Sequence, residues 1–220
     1  MLLNLLGLLR PIVIKLRVGE NQQIDLYLNS TIGDWVATNI KWDLGMVYRH
    51  GNESQSHHQD KFHNFGKYAA ISVHWPSIFS QSKIDEYRFF LNIHSGLLPE
   101  SRGMYPVFWS VFENTPAGAT VHQITSKLDY GPILFREEVA YSEFESCRSV
   151  WSKVFELEKR LFIATANLIS NFPDTLPMKK PVGNIGINRK AAEFHHLKSN
   201  YDRLNLSEKE YIRLKLALDF

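Results

Sequence analysis

The order of apolar runs at the front of the chain limits its fold more than any other feature. Ile24 to Asn29 reads as a strand, Ser30-Thr31-Ile32-Gly33 as a turn, Trp35 to Ile40 as a short helix and Leu44 to Tyr48 as a second strand. A strand, a helix and a strand in succession imply a parallel pair joined by a crossover, so the chain opens as α/β. Further strands are expected at Ala69 to His74, which Trp75-Pro76 ends, at Phe89 to His94, at Gly118 to Thr125 and at Pro132 to Ala140. His50 to Lys67 is polar and reads as loop.

The clearest helix is Ser146 to Ile169. There Val150, Val154, Leu157, Leu161, Ala164 and Leu168 recur at three- and four-residue spacing and set one apolar stripe toward a core. Asn171-Phe172-Pro173 stops it, and Pro173, Pro177 and Pro181 mark an extended connector. A last helix starts at a capping box, Ser207-x-x-Glu210, before Tyr211, Ile212, Leu214 and Leu216. The expected architecture is α/β: a mostly parallel, Rossmann-like sheet with flanking helices over residues 1–171, and a short C-terminal extension over 172–220.

Composition narrows the class. With 44% hydrophobic and 22% charged residues, 220 residues can bury a core without a metal or disulfide staple. The single cysteine, Cys147, excludes an intrachain disulfide and fits a reducing, cytoplasmic setting. A net charge of +2 lacks the basic excess of a dedicated nucleic-acid binder, so no nucleic-acid partner is expected. The opening MLLNLLGLLRPIVIKL has its charges inside or after the apolar run, is broken by Pro11 and lacks a following Ala-x-Ala. That argues against an export signal, and the run is too short to span a bilayer. It is read as core-packing or dimer-packing, ahead of a peripheral membrane contact, which leaves a homodimer open.

The densest chemistry lies in Leu91 to Gly103. Alternation puts Asn92 and His94 on one face at the C-terminal end of an apolar strand, where open α/β sheets place ligands. An amide donor beside an imidazole suits a carbonyl oxygen that is becoming an oxyanion. No nucleophile accompanies the pair: Ser95 has no Gly-x-Ser-x-Gly elbow, and Cys147 has no histidine nearby in sequence. The nucleophile is then expected to belong to a substrate, as in acyl transfer to an amine. His50, His57, His58 and His63 crowd a polar loop without cysteines or a helical His-x-x-x-His, so no metal site is expected. The absence of Gly-x-Gly-x-x-Gly argues against a dinucleotide enzyme.

The run LNIHSGLLPESRGMYPVFWSVFENTPAGATVHQITSKLDYGPIL resembles the core signature of the 10-formyltetrahydrofolate-dependent formyltransferases. It carries an Asn-x-His step, Leu-Leu-Pro, a Gly with downstream Pro and Trp, a Gly-x-Thr-x-His strand and an Asp-x-Gly turn, in that order. The resemblance is close over about residues 69 to 139. It implies a catalytic triad of Asn92, His94 and Asp129, with the first two stabilising the formyl oxygen. Asp129 would orient and charge-balance His94 and assist proton removal. It also implies 10-formyltetrahydrofolate as formyl donor, its pterin between Trp75 to Phe79 and Ile124 to Asp129. The residues named there are Trp75, Ile78, Ile124 and Leu128. Arg102, Tyr105 and Trp109 are expected to border the acceptor; the competing readings are a surface salt bridge for Arg102 and core packing for the aromatics, and packing is favoured for Trp109.

Within that family, methionyl-tRNA formyltransferases are expected to carry a C-terminal barrel for which the tail is too short. Glycinamide ribonucleotide formyltransferases resemble GATVHQITSKLDYGPI, but hold phosphate on a Gly- and Ser-rich loop after the first strand. Here that turn is Asn29-Ser30-Thr31-Ile32-Gly33-Asp34. The sugar N-formyltransferases are similar at the chain's end, in Asn188-Arg189-Lys190, Phe194, Leu197 and the terminal helix. The resemblance therefore implies transfer to a nucleotide-linked amino-deoxysugar for surface polysaccharide. The glycinamide ribonucleotide enzyme and a non-catalytic relative are the alternatives.

Overall fold

The computed structural model describes residues 22–42, 44–51, 66–171 and 174–220. The N-terminal apolar segment, His57, His58 and His63, and the Phe172-Pro173 stop lie outside the described residues. The strands of the central sheet are β1 (Gln22–Leu28), β2 (Val47–Arg49), β3 (Gly66–Val73), β4 (Phe89–His94), β6 (Ala117–Gln123) and β7 (Ile133–Val139). Their spatial order is β2-β1-β3-β4-β6-β7. The first four are mutually parallel, and β6 is antiparallel to both β4 and β7, so β6 alone among these strands runs against the rest. The α/β reading and the mostly parallel sheet agree with this architecture.

Helices cover the sheet: α1 (Ser30–Asn39), α2 (Gln81–Ile84), α3 (Pro106–Glu113), α4 (Cys147–Asn171), α5 (Ala191–Asn200) and α6 (Glu208–Leu218). The central strands are apolar on both faces because elements pack on both, as a parallel sheet requires. One core joins Ile24, Leu26, Ile71, Leu91 and Ile93 of the strands to Val150, Val154 and Leu161 of α4; a smaller cluster gathers Tyr27, Ala70, Tyr87 and Phe90.

Two expectations about α4 and β2 need correction. Ala164 and Leu168 are only half-buried, and the buried face continues through Phe162, Thr165, Ala166 and Ile169 instead. The second half of α4 turns toward α1 and Trp42, whose ring meets Phe162 at 6.1 Å. Regular β2 begins at Val47, not Leu44. The carbonyls of Leu44 and Met46 already accept from Ile24 and Leu26 of β1. Between them Gly45 lies so near the Ile24 carbonyl that a Cβ would stand 2.1 Å from its oxygen.

Beyond residue 171, Lys179 bridges to Ile133 at the start of β7. The short strand β8 (Asn188–Arg189) pairs with β5 (Arg102–Gly103), just after the Leu-Leu-Pro turn. Helix α6 begins at the expected capping box. The Ser207 hydroxyl accepts from the Glu210 N–H at 3.3 Å, while the Glu210 carboxylate accepts from the Ser207 N–H at 2.9 Å. Its Leu214 and Ala217 are fully buried in the main core. Ser207→Ala is expected to cost about 1 kcal/mol of unfolding free energy, because it strips an N-cap from a helix anchored by only two fully buried side chains. Chemical denaturation reads this as a lower midpoint at unchanged slope.

Candidate active site

Strand β4 ends at the site, and its antiparallel neighbour β6 fixes what faces it. The register sets Asn92 opposite His122 and His94 opposite Thr120. Directly opposed side chains share a face, so all four meet. The Thr120 hydroxyl donates to the Gly96 carbonyl at 2.7 Å and accepts from the Leu98 N–H at 3.1 Å, which clamps the turn that follows His94. Asn92 Nδ2 lies 3.3 Å from His122 Nε2.

The His94 ring is oriented from that same turn. Its Nε2 lies 2.7 Å from the Ser101 carbonyl oxygen. A carbonyl can only accept, so Nε2 carries the hydrogen and Nδ1 is the nitrogen left for chemistry. Nδ1 faces Asp129 Oδ2 at 4.0 Å. Glycine at 96 permits this packing, since a Cβ there would stand 2.7 Å from His94 Nε2.

Asp129 sits in the Asp-x-Gly turn after β6 with φ of 50°, a left-handed backbone that aims its carboxylate back at the strands. Oδ2 accepts from the Gly103 N–H at 2.9 Å, and Oδ1 is 3.6 Å from His122 Nε2. Gly103 has a φ of +89°, and a side chain there would collide with the Arg189 carbonyl. Burial disfavours charge on Asp129, but the His94 imidazole, the Gly103 N–H and the Arg102 guanidinium outweigh it and hold the carboxyl below its usual range. Burial lowers His122 to about 4, with Asp129 opposing and His94 adding to the fall, so its ring is neutral near pH 7.

Asn92, His122 and Asp129 line one cleft of about 140 Å³, together with Trp75, Ile78, Phe79, Ile124 and Leu128. All four side chains named for the pterin therefore border the cleft that Asn92 and Asp129 enter. Ile78 and Leu128 are exposed apolar residues at its edge. The three acceptor candidates do not line this cleft. Arg102 donates to the Leu128 carbonyl at 2.6 Å and lies over the Tyr130 ring, a positioned cation beside Asp129 and not a surface salt bridge. Tyr105 stacks on Phe194 of α5 at 4.1 Å. Trp109 is buried under the Arg189 guanidinium and lines a separate cavity of about 310 Å³ with Glu100, Glu113 and Arg136.

His122 was identified only as the last letter of the Gly-x-Thr-x-His strand. The signal that assigns it to the site is its register opposite Asn92, which a single sequence does not state.

The arrangement offers an amide donor, an imidazole nitrogen and a carboxylate at one end of a largely apolar cleft. Ser72, Ser77, Thr125, Ser126 and Lys127 also line the cleft, but among the described residues none of them is hydrogen-bonded to His122 or Asp129 as a base-activated nucleophile would be. Ser95 Oγ is 3.3 Å from His74 Nε2, not from His94, and Cys147 is a buried thiol pushed up to about 12 by burial and then by Asp219. Among the described residues no His, Cys, Asp and Glu cluster is arranged to hold a metal ion, and no helix is long and apolar enough to cross a membrane.

The family model described as formyl transferase matches residues 26–166, from β1 nearly to the end of α4. The chain belongs to the formyl transferase family. A dTDP-4-amino-4,6-dideoxyglucose formyltransferase of Mycobacterium tuberculosis is 29% identical over 139 residues, which cover 63% of this chain and 56% of that protein. The match thus spans little more than half of the relative's length. A 4-N formyltransferase from Francisella tularensis superposes with a TM-score of 0.69 at 21% identity, covering 90% of this chain and 88% of that one. An N-formyltransferase from Helicobacter canadensis, solved with folinic acid and dTDP-3-aminofucose, gives a TM-score of 0.68 at 15% identity over 90% and 81% of the two chains.

Proposed function

We propose that the chain moves a formyl group from 10-formyltetrahydrofolate to the amine of a nucleotide-linked amino-deoxysugar. The observation that carries this reading is that Asn92 and Asp129 line an apolar-walled cleft, with His94 4.0 Å from Asp129 and, among the described residues, no lining hydroxyl or amine hydrogen-bonded to His122 or Asp129. The cleft fits the donor's flat pterin: Trp75, Ile78, Ile124 and Leu128 offer apolar walls, and the 124–129 segment offers backbone groups. The sugar acceptor is supported by the mycobacterial relative, whose name states an amino-dideoxyglucose, and by the Helicobacter neighbour, solved with an aminofucose nucleotide.

When bound, the donor supplies an electrophilic formyl carbon, which the acceptor amine attacks. Asn92 Nδ2 then donates to the formyl oxygen as it gains negative charge, joined by His94 once Nδ1 is protonated and the ring is an imidazolium. Such donors in a water-poor site are worth about 3–4 kcal/mol of barrier each. Asp129 balances the imidazolium form of His94 and takes up, directly or through a water, the proton released by the amine. The C–N bond to the folate nitrogen breaks, and that nitrogen regains a proton. The residues 172–220 are read as a short extension to the catalytic unit, and Cys147, a free thiol, is consistent with a cytoplasmic reaction.

An absorbance assay for tetrahydrofolate release, run against nucleotide-linked 3- and 4-amino-deoxysugars and glycinamide ribonucleotide, tests this reading. Turnover on an amino sugar supports it and names the acceptor. Turnover on glycinamide ribonucleotide alone overturns the sugar assignment and moves the chain to purine synthesis. Folate binding with no turnover on any of these acceptors leaves the family standing and sends the search to amino sugars not linked to these nucleotides.

A further inference from the structure

His122 is buried, titratable and has no part in the chemistry described above. Its two nitrogens have different neighbours, and these decide its tautomer. Nδ1 lies 3.0 Å from the Gln123 carbonyl oxygen. A carbonyl has no hydrogen to give, so Nδ1 must carry one. In the neutral ring Nε2 is then a bare lone pair. The ring is neutral because burial holds its pKa at about 4, despite Asp129 nearby.

That lone pair faces Asn92 Nδ2 at 3.3 Å. An asparagine amide has one end that donates and one that accepts, and the two are nearly identical in shape. Turned the other way, Asn92 would set its Oδ1 against the Nε2 lone pair and present two acceptors to each other. The same turn would put a carbonyl oxygen where Nδ2 now stands, beside His122 and the cleft that both residues line. Formyl transfer requires the N–H there, because the oxygen on the reacting carbon becomes negative.

We infer that His122 is a positioning residue which, as the Nδ1–H tautomer, locks the Asn92 amide so that its second N–H is presented to the reacting oxygen. The chain of cause runs from the Gln123 carbonyl through His122 to Asn92. Every link lies on neighbouring strands in fixed register. The proximity of Asp129 Oδ1, 3.6 Å from Nε2, sharpens the point. A proton placed on Nε2 would be drawn to that carboxylate, and Asn92 would then turn its oxygen to the ring. The inference rests on the formyl-transfer reading for its consequence, but its structural content, a tautomer and an amide orientation, is independent of that reading.

Two measurements test it. In the ¹⁵N-labelled wild-type protein, with His122 assigned by comparison with His122→Gln, long-range ¹H–¹⁵N correlation should show a protonated Nδ1 and a bare Nε2 near pH 7. A protonated Nε2 overturns the inference whatever the enzyme's activity. In steady-state kinetics, His122→Leu should lower kcat by about 10²-fold, the scale of losing one oxyanion donor, with KM for both substrates little changed. His122→Gln, which can place an oxygen acceptor near the Nε2 position, should recover much of that loss. Because His122 acts through Asn92, adding His122→Leu to Asn92→Ala should cost almost nothing more; additive losses would show that His122 acts on its own and sink the inference. A wild-type protein that does not transfer formyl groups defeats the functional reading instead and leaves the tautomer measurement standing.

Discussion

His94→Ala is expected to lower turnover by about 10²–10³-fold while the protein stays folded. His94 contributes one hydrogen bond to the turn after β4, from Nε2 to the Ser101 carbonyl. Losing it leaves a carbonyl near the surface, while the Thr120 clamp on Gly96 and Leu98 still holds the turn. What the substitution removes is the Nδ1 nitrogen beside Asp129. Asp129→Asn should be comparably slow. The amide oxygen can still accept from Gly103, so the turn survives, but the charge that balances an imidazolium is gone. Since the two groups act as a pair, the double variant should be little slower than either single one. Tetrahydrofolate release, with thermal melts alongside, measures all three. Near-normal kcat in His94→Ala would remove His94 from the chemistry and with it the mechanism above.

The strand that carries Asn92 and His94 was legible to the residue, Phe89 to His94, because Phe89, Phe90, Leu91 and Ile93 make a short, largely buried apolar run. The same rule hid one helix and one buried carboxylate. Helix α3 is apolar nearly all round, with Val107, Phe108, Trp109 and Val111 buried, so no amphipathic period marks it. In β1 the run contains Asp25, which alternation would turn to solvent. Both faces of β1 are covered, and Asp25 is fully buried on the Gln23 amide, the Met46 N–H and the Tyr87 hydroxyl. At the site, motif order selected Asn92, His94 and Asp129, and the structure brings those three together. Tyr105 and Trp109 stood close to them in sequence, yet a helix start at Pro106 turns both toward the C-terminal segment. Sequence distance from a catalytic motif says little once a turn and a helix intervene.

A second large effect is expected at a place where sequence was silent, the buried pair of His74 and Glu158. Glu158 is fully buried on α4, and its Oε1 meets His74 Nε2 at 2.7 Å. His74, with φ of 50°, also faces the Ser30 hydroxyl through Nδ1 at 2.8 Å, and its carbonyl accepts from Asn29 Nδ2. The pair thus ties α4 to the turns after β1 and β3. His74→Ala strands a buried carboxylate and should cost about 3–5 kcal/mol of stability. Adding Glu158→Leu removes the stranded charge, so His74→Ala/Glu158→Leu should regain most of the loss. A double variant as unstable as the single one would mean that lost packing, not an unpaired charge, is the cause. The pH dependence gives an independent sign. Burial works against an imidazolium at His74, but the Glu158 charge and hydrogen bond outweigh it and raise the pKa above its usual value. The stabilisation is then complete below the unfolded histidine value of about 6.5 and fades as pH rises through the higher folded value. The melting temperature of the wild type should therefore exceed that of the double variant by most on the acid side of neutrality, with the gap narrowing on the alkaline side. The turn held by this pair leads straight into Trp75 of the cleft, so the single variant should also bind the folate donor more weakly.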